Sequence, residues 1–125
     1  AKLDFPYCPL LDAISESAVA KLTQFASQNL ANISWSFAAL RMEDEPFMEA
    51  IAAASIRKIR DFNPQSLANT AWSFANLAVQ QAPLLHSIAS AAVKTCSEFG
   101  TQNLANTAWS FATLLFSDER LLAAL

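Results

Sequence analysis

The chain of 125 residues is apolar and slightly acidic, with 54% hydrophobic and 15% charged residues and a formal net charge of −3. Its single glycine, Gly100, excludes phosphate-binding loops, which need two or three glycines. One histidine and two cysteines exclude a zinc site built from the usual four side chains. We therefore expect no catalytic residues, no metal and no cofactor, and the sequence contains no stretch that reads as a membrane span.

One motif occurs three times along the chain, as QNLANISWSFAAL from Gln28, QSLANTAWSFANL from Gln65 and QNLANTAWSFATL from Gln102. The three copies begin 37 residues apart (65 − 28 = 102 − 65). A period between 20 and 50 residues is typical of solenoids and other repeat arrays. Because the unit is rich in alanine and leucine and almost free of glycine, it favours helices over propeller blades or leucine-rich repeats.

The period predicts an all-α, right-handed solenoid of helical hairpins with a 37-residue repeat, containing about three full repeats and partial ends. The repeats are predicted at residues 9–45, 46–82 and 83–117. Residues 1–8 are interpreted as the tail of a preceding repeat and residues 118–125 as the start of a further one. Both ends therefore look open, and we expect further repeats or a partner surface at each of them.

Each unit contains two predicted helices. Helix A begins near the proline of the unit and has one apolar stripe, whereas helix B follows a capping signal and is apolar on two sides. We expect helix B to lie inside the array and helix A outside. The predicted capping residues of the B helices are Ser27, Asn63 and Thr101. Ser117 is predicted to cap a further helix A.

A polar stripe runs along each helix B, because its members are spaced four residues apart. Amide groups both donate and accept hydrogen bonds, so a ladder of them can contact base edges or an extended peptide backbone. Alternatively, these amides bond each other and the backbone and hold the repeats in register. The predicted ligand-binding stripe comprises Gln28, Asn32, Ser36, Gln65, Asn69, Ser73, Asn76, Gln102, Asn106 and Ser110.

The three tryptophans can either stack on bases or pack in the core. Alanines flank Trp35, Trp72 and Trp109 on the same side of the helix, and this favours an indole packed against the neighbouring helix. Cys96 is expected to be buried, because the equivalent positions one and two repeats earlier hold the apolar residues Ile59 and Leu22. His86 is expected on the outer surface of its helix A.

Charged residues are sorted along the A helices, with acidic residues early and basic residues late. One interpretation is that these charges complement the helix dipole. The other is that, in a stacked array, they form a basic edge beside the B-helix N-termini that can hold phosphates. The residues predicted at this basic edge are Lys21, Arg57, Lys58, Arg60 and Lys94.

The pattern F-x-x-Q-x-L-A-N-x-x-W-S-F-A-x-L, seen first from Phe25 to Leu40, resembles the octotricopeptide and heptatricopeptide repeats, organellar arrays that often precede a RAP domain. The resemblance covers essentially the whole chain. It implies a non-catalytic module of an organellar factor, in a mitochondrion or plastid, that binds single-stranded RNA for its maturation, stability or translation.

A weaker resemblance links Trp72 and Asn76 to armadillo repeats, in which such a pair binds an extended peptide. The acidic balance and the open ends also fit a second class of function. In that alternative the chain is a protein-interaction scaffold or structural subunit docked in a larger organellar complex.

Overall fold

A computed structural model describes residues 8–42, 44–79 and 81–117, and all regular structure within these ranges is helical. The helices are α1 (Cys8–Ala20), α2 (Ser27–Ala39), α3 (Glu45–Arg57), α4 (Pro64–Asn76), α5 (Ala82–Lys94) and α6 (Thr101–Ser117). A short 3-10 turn joins the two helices of each hairpin, at Leu22–Gln24, Ile59–Asp61 and Cys96–Glu98. The all-α prediction is confirmed. Of the predicted partial ends, residues 1–7 and 118–125 lie outside the described residues.

The odd-numbered helices correspond to the predicted A helices and the even-numbered helices to the B helices. Both α3 and α4 begin with a capping side chain and a proline in the first turn. The Asp44 carboxylate accepts a hydrogen bond from the backbone N–H of Phe47 at 3.1 Å. The Asn63 side-chain oxygen accepts one from Ser66 at 2.7 Å, as predicted.

Two predicted caps are wrong by one position, because Ser27 and Thr101 are the first residues of α2 and α6 rather than the residues before them. At the start of α2 the capping direction is reversed. The Asn29 side-chain oxygen accepts a hydrogen bond from the backbone N–H of Ala26 at 3.0 Å. A capping interaction is therefore still present, but it comes from inside the helix.

Helices α2 and α4 end in the same way, with a residue in the left-handed region at φ 56°, Arg41 in one case and Ala78 in the other. The backbone N–H groups of Met42 and Val79 bond back to the carbonyls of Phe37 and Phe74 at 2.9 Å. This is the usual glycine-terminated helix end, built here without glycine. Helix α6 instead continues to Ser117, and the further helix that Ser117 is predicted to cap lies outside the described residues.

The B helices form the centre of the fold, since the most extensive helix contacts are those of α2 with α4 and of α4 with α6. The A helices contact one another less. Leu67, Ala68, Ala71 and Phe74 of α4 are fully buried. Helix B is therefore the inner helix, as its two apolar sides predict.

We call a set of residues spaced 37 positions apart a repeat column. The burial of its members depends on which neighbouring hairpin covers each of them. Phe47 of α3 packs against Phe37 of α2, with ring centroids 4.5 Å apart, so the preceding hairpin covers this column. The equivalent Leu10 in α1 is 55% exposed. At the other end, Leu104 of α6 is 43% exposed, whereas the equivalent Leu67 is buried. Each end of the described array therefore exposes apolar side chains that are buried between hairpins elsewhere.

This arrangement predicts unequal effects of one substitution at equivalent positions. Ile51→Ala removes a fully buried side chain and should lower the free energy of unfolding by about 2–5 kcal/mol. Ile14→Ala, in the same column but 38% exposed, should cost only about 1 kcal/mol. Denaturant unfolding of the two variants checks this, and equal losses would contradict one-sided coverage by the preceding hairpin.

Candidate nucleic-acid interface

The B helices leave one face uncovered by the rest of the protein. On α4, the spacing of Gln65, Asn69, Trp72 and Asn76 places them on one side of the helix, and all four retain solvent exposure while most other α4 residues are buried. The same positions repeat on the two neighbouring B helices. We call this set the B-helix face, and it comprises Gln28, Asn32, Trp35, Gln65, Asn69, Trp72, Asn76, Gln102, Asn106 and Trp109.

The tryptophans lie on this face rather than in the core. Trp35 is 46% exposed and Trp109 is 49% exposed, so the core prediction is wrong for both, whereas Trp72 is half-buried and packs against the core. Trp35 stacks on Trp72 of the next hairpin, with ring centroids 6.0 Å apart and planes inclined by 28°. Trp35 thus keeps half of its surface exposed although the following hairpin is in place.

Small side chains explain why the indoles lie at the rim of the helix contact. The buried residues of α2 on the side of the tryptophan include Ala31, Ser34 and Ala38. Helices in contact through such small residues approach closely, and the interaxial distance depends on the side chains between them. An indole is much larger than these side chains, and this accounts for its position at the rim of the contact, where Trp72 is half-buried and Trp35 is exposed.

Six amides of the predicted stripe have no partner within the described residues, those of Gln28, Asn32, Gln65, Asn69, Gln102 and Asn106. All six retain solvent exposure. The register-holding interpretation requires these amides to bond one another or the backbone, and they do not. Their donors and acceptors are therefore available to a ligand. Ligand binding by these residues stays a prediction.

Asn76 has a different role from the other amides. Its side-chain nitrogen donates a hydrogen bond to the backbone carbonyl of Ala38 at 3.0 Å, which links α4 to the end of α2. The register-holding interpretation therefore applies to Asn76. The equivalent position in α2 is Ala39, which cannot make such a bond.

The serines of the stripe bond their own helices. Ser36, Ser73 and Ser110 donate to the backbone carbonyls of Asn32, Asn69 and Asn106 at 2.9, 2.7 and 2.7 Å. Ser73 and Ser110 are fully buried. The accessible part of the predicted stripe is therefore reduced to its glutamines and asparagines, together with the exposed Ser36.

The residues of the predicted basic edge also fall into two groups, those exposed to solvent and one that links two hairpins. Lys21, Arg57, Arg60 and Lys94 are exposed, and none of them forms an ion pair within the part of the chain that the structure describes. Lys58 instead donates from its ammonium group to the backbone carbonyls of Thr23, at 3.0 Å, and Phe25. Lys58 therefore joins α3 to the preceding hairpin, a role that its sequence position does not reveal.

Two further predictions concern the outer side of the hairpins. Cys96 is a free, exposed thiol, so its predicted burial is wrong, although the equivalent Leu22 is buried and Ile59 is half-buried. His86 is exposed, as predicted. Among the described helices none is long and apolar enough to cross a membrane.

Comparison with known proteins identifies the family. The family model of RNA-editing substrate-binding complex 6 proteins matches residues 2–119, and the chain belongs to this family. No curated protein matches the sequence. The match does not establish the octotricopeptide or heptatricopeptide type of repeat, which stays a prediction.

The two adjacent basic residues at the end of α3 are predicted to differ in their effect on stability. Lys58→Ala removes two hydrogen bonds from a charged donor and should lower the free energy of unfolding by about 1.5–3 kcal/mol. Arg57→Ala, at an exposed position, should change it by no more than about 0.5 kcal/mol. Thermal or denaturant unfolding measures both, and a neutral Lys58→Ala would show that the lysine does not hold the hairpins together.

Proposed function

We propose that this member of the RNA-editing substrate-binding complex 6 protein family is a non-catalytic helical-repeat module that binds single-stranded RNA along its B-helix face. The family name associates the chain with a complex that binds RNA-editing substrates. The observation that carries the proposal is the stacked Trp35–Trp72 pair, exposed on a face that also presents six unpaired amides.

The exposed indoles supply the stacking surface that an unpaired base needs. A base stacked on an aromatic side chain contributes about 1–3 kcal/mol, and stacking tolerates any base because each has a π-face. Recognition of RNA sequence uses single strands whose bases are splayed out and bonded along their edges. The glutamine and asparagine beside each tryptophan offer both donors and acceptors for such edges.

The basic edge supplies contacts to the phosphates. Gln28, Gln65 and Gln102 lie in the first turn of their B helices, which are joined by a short 3-10 turn to the A helices and to the basic residues near the A-helix C-termini. Arg57 and Arg60 are exposed there and have no ion-pair partner among the described residues. Arginine binds phosphate through a planar fork of donors, so this edge can position the RNA backbone while the B-helix face contacts the bases.

The proposal also covers the handedness of the array and its cellular location. Equivalent helices begin 37 residues apart in the structure, and we propose that they continue as a right-handed solenoid. We propose a role in RNA maturation within the mitochondrion, since the family association with RNA editing supports an organellar location. The family match gives no support to the plastid alternative.

A second candidate function is that of a scaffold in a larger complex. Its specific support is the exposure of apolar side chains at both ends of the described array, including Leu10, Ile14 and Leu104. The net charge of −3 also fits protein partners at least as well as RNA. RNA binding and scaffolding use different surfaces, so the two functions are separable by mutation.

Substitution of an exposed indole tests the base-stacking surface. We expect single-stranded RNA to quench the tryptophan fluorescence, and Trp35→Ala to lower the affinity about tenfold or more. The matched control is Val93→Ala, which shortens an apolar side chain that is 78% exposed on α5, away from the B-helix face. Fluorescence titration with a random single-stranded RNA pool measures both variants, and equal affinity for RNA in Trp35→Ala and the parent protein would contradict the proposal.

Salt dependence tests the phosphate contacts. The RNA affinity should fall steeply between low and moderate salt, and Arg57→Ala should weaken binding and reduce the slope of log affinity against log salt by about 0.7. Arg41→Ala is the control, since Arg41 is an exposed cation at the opposite end of helix B and alanine already occupies the equivalent left-handed position 78. Filter binding would refute the RNA proposal if the parent protein retained no RNA even at low salt.

A further inference from the structure

The groove between the second and third hairpins collects three nitrogen-bearing side chains. Arg60, His86 and Lys94 line one groove of about 420 Å³ between the 3-10 turn Ile59–Asp61 and helix α5. Arg60 and Lys94 form no ion pair within residues 8–42, 44–79 and 81–117. The groove therefore concentrates uncompensated positive charge on a chain whose net charge is negative.

The equivalent surface between the first and second hairpins, here called the first groove, carries different side chains. The residues 37 positions earlier are Thr23, Glu49 and Arg57, so an acidic side chain takes the place of His86 there. The Lys58 side chain links the two hairpins at this surface, since its ammonium group donates to the carbonyls of Thr23 and Phe25.

Thr95 stands at the position equivalent to Lys58 and does not cross the second groove. Its hydroxyl donates instead to the carbonyl of Ala91 in its own helix, at 2.9 Å. At this position the second groove therefore has a threonine bonded within its own helix in place of a lysine that links two hairpins. The 37-residue repeat by itself accounts neither for this difference nor for the presence of His86 at the position equivalent to Glu49.

The lining of the second groove indicates the chemistry of its ligand. Ile59, Phe62 and Ala91 contribute apolar surface beside the basic side chains. The volume of about 420 Å³ lies within the range of small-molecule sites, which combine an apolar wall with a few polar groups. Arginine and lysine together bind phosphate through charge-assisted hydrogen bonds.

We propose that this groove binds one nucleotide, with its phosphate on Arg60, His86 and Lys94 and its nucleoside against the apolar wall. The site lies on the outer side of the hairpins and uses no residue of the B-helix face. It shares Arg60 and Lys94 with the basic edge proposed for RNA phosphates, so its test uses a free nucleotide, which needs no contact with the B-helix face.

The full chain is titrated with adenosine 5′-monophosphate, inorganic phosphate and adenosine, and binding is followed by calorimetry. We expect the nucleotide to bind at least about tenfold more tightly than either part alone. Arg60→Thr and His86→Glu should each weaken nucleotide binding about tenfold. Both changes install the residue that the chain carries at the equivalent position of the first groove, so the fold should tolerate them.

The Thr95→Lys variant distinguishes nucleotide binding in this groove from general electrostatic attraction of the nucleotide to a positively charged protein. The new lysine copies Lys58 and should occupy the groove, so nucleotide binding should fall at least tenfold although the protein gains a positive charge. The thermal midpoint should stay unchanged or rise, because the link made by Lys58 is reproduced. Arg41→Ala, which removes an exposed cation outside both this groove and the basic edge, should leave nucleotide affinity unchanged.

Unchanged or tighter binding by Thr95→Lys would overturn the proposal, as would the absence of nucleotide binding at millimolar concentration. Equal affinities for phosphate and nucleotide would overturn the assignment of a nucleotide. Quenching of the tryptophans by single-stranded RNA reports separately on the B-helix face. If quenching persists while nucleotide binding fails, only the groove proposal is lost.

Discussion

The packing of the B helices against each other is the constraint on which the rest of the structure depends. Helix α4 packs between α2 and α6 and also contacts α5, and the side chains of Leu67, Ala71 and Phe74 are fully buried. Small residues in this seam bring the helices close together and displace the indoles to its rim. The feature that stabilises the array therefore also creates its exposed aromatic face.

Polar contacts between hairpins supplement this packing. Lys58 and Asn76 each donate to backbone carbonyls of the preceding hairpin, and Ser27 donates to the carbonyl of Asp61 in the following one at 3.1 Å. These contacts use only a few of the polar residues that the repeat provides. The amides and arginines that remain unpaired are the groups that give the surface its binding capacity, whether for RNA or for a protein.

Much of the fold follows from the sequence. The 37-residue spacing, the prolines and Asn63 predict the helix pairs, and the two apolar sides of helix B predict its inner position. Exposure of Trp35 and Trp109 could not be predicted, because the alanine neighbours that suggest a packed ring also narrow the seam that would hold it. The role of Lys58 was also hidden, since a lysine near a helix C-terminus fits dipole complementation, phosphate binding and a link to a neighbouring hairpin equally well.

The central claim is that unpaired bases contact the tryptophans of the B helices. Ultraviolet cross-linking of the protein to a single-stranded RNA, followed by mass spectrometry of the linked peptides, tests it most directly. The account predicts cross-links in the peptides of α2, α4 and α6 that contain Trp35, Trp72 and Trp109. Cross-links confined to peptides of α1, α3 and α5 would contradict it.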